Sequence, residues 1–262
     1  SIVGRPNVGK STLVNKFLGE ERVVTYDMPG TTRDTVTIPF VWKDKRYFLV
    51  DTAGIKRGSK ITNVVDKFSV VKTIQAIQNS NVVLFLLDAD HGITEQDSYI
   101  ASLIMSSGPA LVVGVNKWDK INQEGKDHIK QEIKRKLNYL SWAEMHYFSA
   151  IKGQGLSALM TSVEKAFNSA LVELSTNKLN LFLKQITNNH PPPLKNRFRP
   201  KLRYVHQGGK NPPIIIVHGT GLHKLGQDYK RYLENSFRKK FDLKGTPVKI
   251  EWKNSLNPFH ER

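Results

Sequence analysis

The spacing of hydrophobic residues changes repeatedly along the first two thirds of the chain. Short runs that are almost entirely hydrophobic predict buried strands at residues 36–41, 47–50, 82–87 and 110–115. Hydrophobic residues that recur every three or four positions predict helices at 11–18, 64–78, 96–105, 126–140 and 156–172. Strands alternating with helices are typical of an α/β fold with a mostly parallel sheet covered by helices.

The last third has a different order of elements. Residues 188–193 contain three consecutive prolines, which cannot continue a helix. A helix at 174–187 precedes this break, and two strands (202–206, 214–218), a helix (228–241) and a strand (247–252) follow it. We therefore predict an α/β domain at 1–172 and a small α+β domain at 173–262.

Positive charge is concentrated in the second predicted domain. The whole chain has a formal net charge of +17, and residues 173–262 carry 18 Lys and Arg against six Asp and Glu. Such a field favours a polyanionic partner, with nucleic acid ahead of a membrane surface and a merely solvated surface as the plain alternative.

Composition excludes several kinds of chemistry and of membrane attachment. The chain has no cysteine, which excludes disulfides, thiolate zinc sites, iron–sulfur clusters and a cysteine nucleophile. Its hydrophobic runs are far shorter than the roughly 20 residues of a membrane-spanning helix, and no signal peptide is visible. We expect a cytoplasmic protein without stable membrane association.

A phosphate-binding pattern opens the chain. Residues 4–11 fit G-x-x-x-x-G-K-S between a strand end and a helix, so that backbone N–H groups can surround phosphates. Lys10 would reach the β- and γ-phosphates, and the Ser11 hydroxyl would bind Mg²⁺. The predicted phosphate-binding residues are Gly4, Arg5, Pro6, Asn7, Val8, Gly9, Lys10, Ser11 and Thr12.

Three further motifs follow predicted strands, at the edge where open α/β sheets bind ligands. Asp51, Thr52, Ala53 and Gly54, with Ile55 after them, would approach Mg²⁺ through Asp51 and the γ-phosphate through the Gly54 N–H. The second motif consists of Asn116, Lys117, Trp118 and Asp119. The Asp119 carboxylate can accept two hydrogen bonds from guanine, which adenine cannot supply. Ser149 and Ala150 would close over the base. The ordered set predicts a site for GTP or GDP with Mg²⁺.

In finer detail the chain resembles the bacterial Der (EngA) family of translation-factor-like GTPases. The resemblance is carried by PGTTRD at 29–34, KFSVVKT at 67–73, RY at 203–204, NPP at 211–213, YLEN at 232–235 and GTP at 245–247. It implies a second GTPase domain followed by a KH-like domain, with a first GTPase domain of the same chain absent from this sequence. It also implies GTP hydrolysis in maturation of the large ribosomal subunit and contact with its rRNA.

The residue after the Asp51–Gly54 motif bears on catalysis. Many small GTPases have a Gln there to orient water, and the aliphatic Ile55 cannot do so. In related GTPases an Asn at the position of Asn7 helps to bind K⁺, although Asn7 could also merely stabilise its loop. The expected catalytic set is Lys10, Asn7, Thr32 and Gly54, with Ser11, Thr32 and Asp51 for Mg²⁺ and Thr31 as the alternative to Thr32.

The basic domain lacks the G-x-x-G loop with which KH domains clamp RNA. Basic and apolar residues alternate through 195–204 instead, which in an extended strand would place the basic ones on one face and Phe198, Pro200, Leu202 and Tyr204 beneath. The candidate RNA contacts are Lys195, Arg197, Arg199, Lys201 and Arg203. We expect His206, His218 and His223 to be structural or surface residues.

The leading hypothesis is a GTP-hydrolysing switch that acts in ribosome biogenesis. An RNA-binding assembly module in which GTP is structural is the alternative, and Ile55 keeps it open. A membrane-associated GTPase is disfavoured because no amphipathic anchor is visible.

Overall fold

The computed structural model describes residues 1–20, 37–50, 66–195 and 198–254. Contacts divide the chain into two compact units, Ser1–Lys165 and Ala166–Arg262. The predicted domain boundary, after residue 172, lies a few residues beyond this division. The division between Lys165 and Ala166 falls inside a helix, Leu156–Leu171. No helix within the described ranges is both long enough and apolar enough to cross a bilayer.

The first unit contains a parallel sheet and an antiparallel strand pair. Its strands are β1 (Ile2–Val3), β2 (Thr37–Trp42), β3 (Lys45–Val50), β4 (Val82–Asp88), β5 (Ala110–Asn116) and β6 (Glu144–Tyr147). Its helices are α1 (Lys10–Glu20), α2 (Asp66–Gln78), α3 (Glu95–Ser107), α4 (Gln123–Lys136) and α5 (Leu156–Leu171, which continues into the second unit). The parallel strands lie in the order β1-β4-β5-β6, while β2 and β3 pair antiparallel with each other.

The buried strands explain where the candidate motifs come together. Strand β5 is buried along its whole length and β4 almost entirely, as expected for a sheet covered on both faces. Parallel pairing places Asp88, the last residue of β4, opposite Asn116, the last residue of β5. The guanine motif, which starts at Asn116, therefore begins at the carboxyl edge of the sheet.

The predicted helix at 126–140 is wrong in its bounds. Asn122 caps α4 through a 2.9 Å bond from Gly125 N, so that the helix begins three residues earlier than predicted. It ends at Lys136, and a short 3₁₀ turn occupies Asn138–Leu140. The side chain of Asn122 determines where the helix begins, and a prediction based on the spacing of hydrophobic residues does not include such a cap.

The second unit confirms the predicted order of helix, strand, strand, helix and strand. Its elements are α6 (Thr176–Asn189), β7 (Lys201–Gly209), β8 (Ile214–Thr220), α7 (Gln227–Lys240) and β9 (Lys249–Asn254). Strand β8 pairs antiparallel with β7 and parallel with β9. The core consists of one face of this sheet (Val205, Ile215, Val217 and Ile250) with the apolar sides of α6 and α7, including Phe182 and Phe237.

The predicted extended stripe from Lys195 to Arg203 is wrong. Lys195 and Phe198 exchange two backbone hydrogen bonds of 2.9 Å, which form a tight turn, and β7 begins only at Lys201. Arg203 is then the extra residue of a β-bulge, because Leu202 pairs with Gly219 and Tyr204 with His218. The bulge turns Tyr204 away from the core, and its side chain is exposed rather than part of an apolar underside.

Candidate functional site

The phosphate-binding loop requires glycine at two positions for steric reasons. A Cβ on Gly4 would lie 2.6 Å from the carbonyl oxygen of Leu86. Gly9 has a φ of +100°, and a Cβ there would collide with the side-chain amide of Asn116. Asn7 also has a positive φ, of 63°. Pro6, Asn7 and Ser11 are exposed, Thr12 is half-buried and Val8 is buried.

The ammonium group of Lys10 is held by the backbone of the phosphate-binding loop. Its ammonium donates hydrogen bonds of 2.7 Å to the carbonyl oxygens of Gly4 and Arg5. Burial lowers the pKa of Lys10 to about 8. A phosphate group beside this ammonium would favour its charged form, since opposite charges at close range stabilise each other.

Asn116, the first residue of the guanine motif, connects the phosphate loop to the Ser149–Ala150 motif. Its side chain is buried, and its amide Nδ2 donates to the carbonyl oxygen of Val8 at 2.8 Å. Its Oδ1 accepts a 3.0 Å bond from the backbone N–H of Ala150. Three sequence motifs that are far apart along the chain therefore meet at one amide group.

Asp119 is held by the Ser149–Ala150 motif. A hydrogen bond from the Ser149 hydroxyl lowers the pKa of Asp119, burial opposes this, and Lys152 at 3.6 Å lowers it further. The Ser149 hydroxyl also accepts from the backbone N–H of Lys152, at 3.2 Å. The carboxylate is thus kept ionised, the form that accepts hydrogen bonds from guanine.

Trp118 fixes the course of the chain between these motifs. Its backbone N–H donates to the carbonyl of Phe148 at 3.1 Å. Its indole ring packs against Tyr147, with ring centres 4.3 Å apart. These contacts attach the guanine motif to the end of β6 without using any of its polar side chains.

Lys117 makes an ion pair that the sequence did not predict. Its ammonium lies 2.6 Å from Oδ2 of Asp88, which is almost fully buried. Burial on its own would raise the pKa of Asp88, but hydrogen bonds from Lys117 and from the Asp90 N–H outweigh it and lower the pKa. The pairing of β4 with β5 puts Asp88 opposite Asn116, the residue before Lys117, and a polar residue ending a buried strand was the available signal.

Arg5 makes a second connection that sequence reasoning missed. Its guanidinium Nε lies 3.3 Å from Oδ2 of Asp97, and Nη2 donates to the Gly92 carbonyl at 3.1 Å. Asp97 is fully buried and forms a capping box with Thr94 at the start of α3. The T-x-x-D pattern at 94–97 predicts the cap, but not the tie to the phosphate loop.

Part of the predicted site lies outside the described residues. This applies to Thr32 and its alternative Thr31, to Asp51, Thr52, Ala53, Gly54 and Ile55, and to Arg197 among the RNA candidates. The described residues bring together the phosphate loop, the guanine motif and the Ser149–Ala150 motif. Among them, the Ser11 hydroxyl is exposed at the first turn of α1, where it can serve as an oxygen ligand for Mg²⁺.

A phosphate loop, a guanine motif and a closing Ser-Ala motif on one parallel sheet define the class of P-loop GTPases. Residues 1–117 match the family described as 50S ribosome-binding GTPase, and residues 173–253 match the KH-domain-like C-terminal region of EngA bacterial GTPase enzymes. The chain belongs to the Der (EngA) family of bacterial GTPases.

The relatives extend beyond this chain. It is 53% identical over 259 residues to GTPase Der of Herminiimonas arsenicoxydans and 50% identical to GTPase Der of Bordetella pertussis. These alignments cover 99% of this chain but only 58% and 57% of the respective relatives. The chain thus spans little more than half the length of these two proteins.

A solved structure with a similar fold matches about two thirds of the chain. Translation elongation factor SelB from Methanococcus maripaludis, in complex with the GTP analogue GPPNHP, matches with a TM-score of 0.50. The match covers 67% of this chain and 34% of that one, at 19% sequence identity. At this identity the similarity concerns the fold alone.

The buried ammonium of Lys10 generates a prediction about pH. With a pKa of about 8 before nucleotide binds, Lys10 is half-protonated at that pH, and a bound phosphate would restore its proton. Binding of GDP at about pH 8 should therefore take up about half a proton, and affinity should fall as pH rises above 8. Calorimetric titrations in buffers of different ionisation enthalpy measure this number. Proton uptake of zero at that pH would contradict the prediction.

Proposed function

We propose that this chain is a GTP-binding and GTP-hydrolysing switch that acts in the maturation of the large ribosomal subunit through contact with rRNA. The observation that carries the nucleotide part is the Asn116 amide, which bonds to the phosphate loop on one side and to the base-closing motif on the other. This amide sets the separation between the phosphate and base subsites. The contacts around Asp119 support guanine as the base.

The phosphate end of the site contains the groups that phosphoryl transfer needs. Lys10 brings positive charge to the loop, and the first turn of α1 supplies backbone N–H groups and partial positive charge. Mg²⁺ would be held by Ser11 with Thr32 and Asp51, and when bound it neutralises charge on the phosphate oxygens. In this proposal the Gly54 N–H contacts the γ-phosphate.

Support for the ribosomal role comes from the family match of residues 1–117 and from the charge of the second unit. The matched family is described as 50S ribosome-binding, and residues 173–262 carry a threefold excess of basic over acidic side chains. Contact with rRNA places the proposed activity in the cytoplasm. A first GTPase domain of the same chain is part of this proposal, as a partner of the two units described.

Guanine specificity tests the role of Asp119. In Asp119→Asn an amide replaces one acceptor oxygen with a donor, which mismatches the guanine N1–H and amine but fits the oxygen of xanthine. We expect GDP to bind at least about 100-fold more weakly and XDP to bind more tightly than in the wild type, since unpaired polar groups in such sites are costly. Equal affinity of the wild type for GTP and ATP would refute the proposal.

Dependence on K⁺ tests the role of Asn7. This residue is exposed in the phosphate loop and its backbone has a positive φ. In this proposal its side-chain oxygen helps to hold K⁺ beside the phosphates. We expect faster GTP turnover in KCl than in NaCl at equal ionic strength, and loss of this difference in Asn7→Ala. Turnover is measured with and without large ribosomal subunits, because stimulation by the subunit separates a switch from a module in which GTP is structural. Equal rates in the two salts would exclude the K⁺ role.

The basic residues from Lys195 to Arg203 lie just before β7 and at its start, and they do not form one straight stripe. Lys195, Arg199, Lys201 and Arg203 are all exposed, around the turn closed by Lys195 and Phe198. Lys224 adds another cation, with its ammonium 4.6 Å from the centre of the Phe198 ring. We propose that this basic turn contacts RNA phosphates, which requires no G-x-x-G loop.

Salt dependence tests that proposal. Each phosphate contact contributes roughly 0.7–0.9 to the slope of log affinity against log salt concentration. The combined change Lys195→Ala, Arg199→Ala and Lys201→Ala should therefore lower the slope by about two for rRNA fragments. The loss should be similar for different RNA sequences, because phosphate contacts carry no base information.

The chain offers a matched control in α4 of the GTPase unit. Lys130, Lys134 and Arg135 are exposed and include the same numbers of Lys and Arg. Their combined change to Ala should leave the slope as in the wild type. An equal loss in both triple variants would show that only net charge matters, and the basic turn would lose its assigned role.

A further inference from the structure

Three aromatic rings lie together on the face of the second sheet that α6 and α7 do not cover. Tyr204 and His206 come from β7, and His218 comes from β8. The two imidazole rings are stacked with centres 5.1 Å apart, and the Tyr204 ring lies 5.7 Å from His206 and 5.6 Å from His218. We call these three residues the ring cluster.

The bulge at Arg203 creates this arrangement. Val205, Val217 and Ile215 point into the helix-covered core, whereas the neighbouring residues Tyr204 and His218 form a cross-strand pair on the other face. Tyr204 remains 46% exposed, so that one flat ring is open to solvent and two imidazoles lie beside it.

The imidazoles act as flat rings more than as polar groups. Nδ1 of His206 and Nε2 of His218 are buried and have no hydrogen-bond partner among the described residues. Burial lowers the pKa of His218, and electrostatic interaction with His206 and Lys253 lowers it further. The lowered pKa favours the neutral imidazole of His218, which suits stacking.

The charged groups around the cluster are mostly positive. Lys253 pairs with His218 across β8 and β9, and Lys249 pairs with Ile214 at the far end of the same face. Lys201 and Arg203 precede Tyr204 along β7, and the acidic residue at these paired positions is Glu251, opposite Ile216. Exposed aromatic surface bordered by cations is complementary to a chain of flat bases joined by phosphates.

We infer that the ring cluster binds unpaired bases of single-stranded RNA, with a base stacked on Tyr204 and the flanking phosphates near Lys201, Arg203 and Lys253. Bases freed from pairing are recognised by stacking on aromatic side chains of sheet surfaces. This inference rests on the proposed contact with RNA and adds base stacking to the phosphate contacts of the basic turn. A duplex cannot use the ring cluster, because its bases are stacked on one another.

The test compares Tyr204→Leu with the wild type on a fluorescein-labelled single-stranded RNA of about ten nucleotides. Loss of one stacked base should weaken binding by about 5- to 150-fold. The slope of log affinity against log salt should stay unchanged, because no phosphate contact is removed. Affinity for a duplex of the same sequence should also stay unchanged.

Three further variants separate stacking from loss of structure. Tyr204→Phe and His218→Phe retain flat rings and should keep the affinity of the wild type. Tyr99→Leu, on α3 of the GTPase unit, removes a ring of similar exposure, 51%, and should have no effect. Unfolding of Tyr204→Leu by urea should match that of the wild type, since the ring is half in solvent.

The outcomes distinguish this inference from the proposal on which it rests. If the wild type binds single-stranded RNA with a steep salt dependence and Tyr204→Leu binds equally well, the ring cluster is not a base-binding site, and a protein-docking role would remain for it. Equal losses on single strands and duplexes would also overturn stacking. If the wild type binds no RNA at any salt concentration, the proposed RNA contact fails together with the inference.

Discussion

The nucleotide site depends on one buried amide group. Asn116 ends a strand that is buried along its length, and parallel pairing with β4 fixes where its side chain can lie. Its donor and its acceptor are both used, by Val8 and Ala150. Removing this amide would leave two buried backbone groups without partners, at a cost of about 1–3 kcal/mol for each. The absence of a side chain at Gly9 is part of the same arrangement, since any Cβ would occupy the position of the amide.

Two ion pairs extend this arrangement into the surrounding fold. Arg5 connects the phosphate loop to the capped start of α3, and Lys117 connects the guanine motif to the end of β4. Both acidic partners, Asp97 and Asp88, are almost fully buried, so that breaking either pair would leave an uncompensated charge in the interior. The loops that meet the nucleotide are thereby attached to the ends of regular elements.

Much of the site could be predicted because it is local in sequence. The phosphate loop and the guanine motif each occupy a few consecutive residues, and hydrophobic runs before them placed them at strand ends. The partners of Lys117 and Arg5 could not be predicted in the same way, because they lie 29 and 92 positions away and are brought close only by strand order and helix packing. The start of α4 was misplaced because one side-chain cap at Asn122 decides it.

The largest error of sequence reasoning concerned β7, where strict alternation put Tyr204 beneath the basic residues. Hydrophobic periodicity assumes that every residue advances the pairing by one, and the bulge between Leu202 and Tyr204 violates this. The order of elements in the second unit was nonetheless predicted correctly, because it depends on the number and type of segments and not on the phase within one strand.

The bulge at Arg203 also constrains how this segment can change during evolution. Because the extra residue is absorbed between Leu202 and Tyr204, the pairing is regular from Tyr204 to Gln207 and keeps Val205 in the core and its two neighbours outside. A single insertion after the bulge would exchange the residues that face the core with those that face outward, unless a second irregularity compensated for it. Tyrosine and histidine side chains would then lie against the helices. Substitutions of exposed residues here should therefore be tolerated far more readily than insertions or deletions, and homologous sequences should vary in composition across this strand while conserving its length.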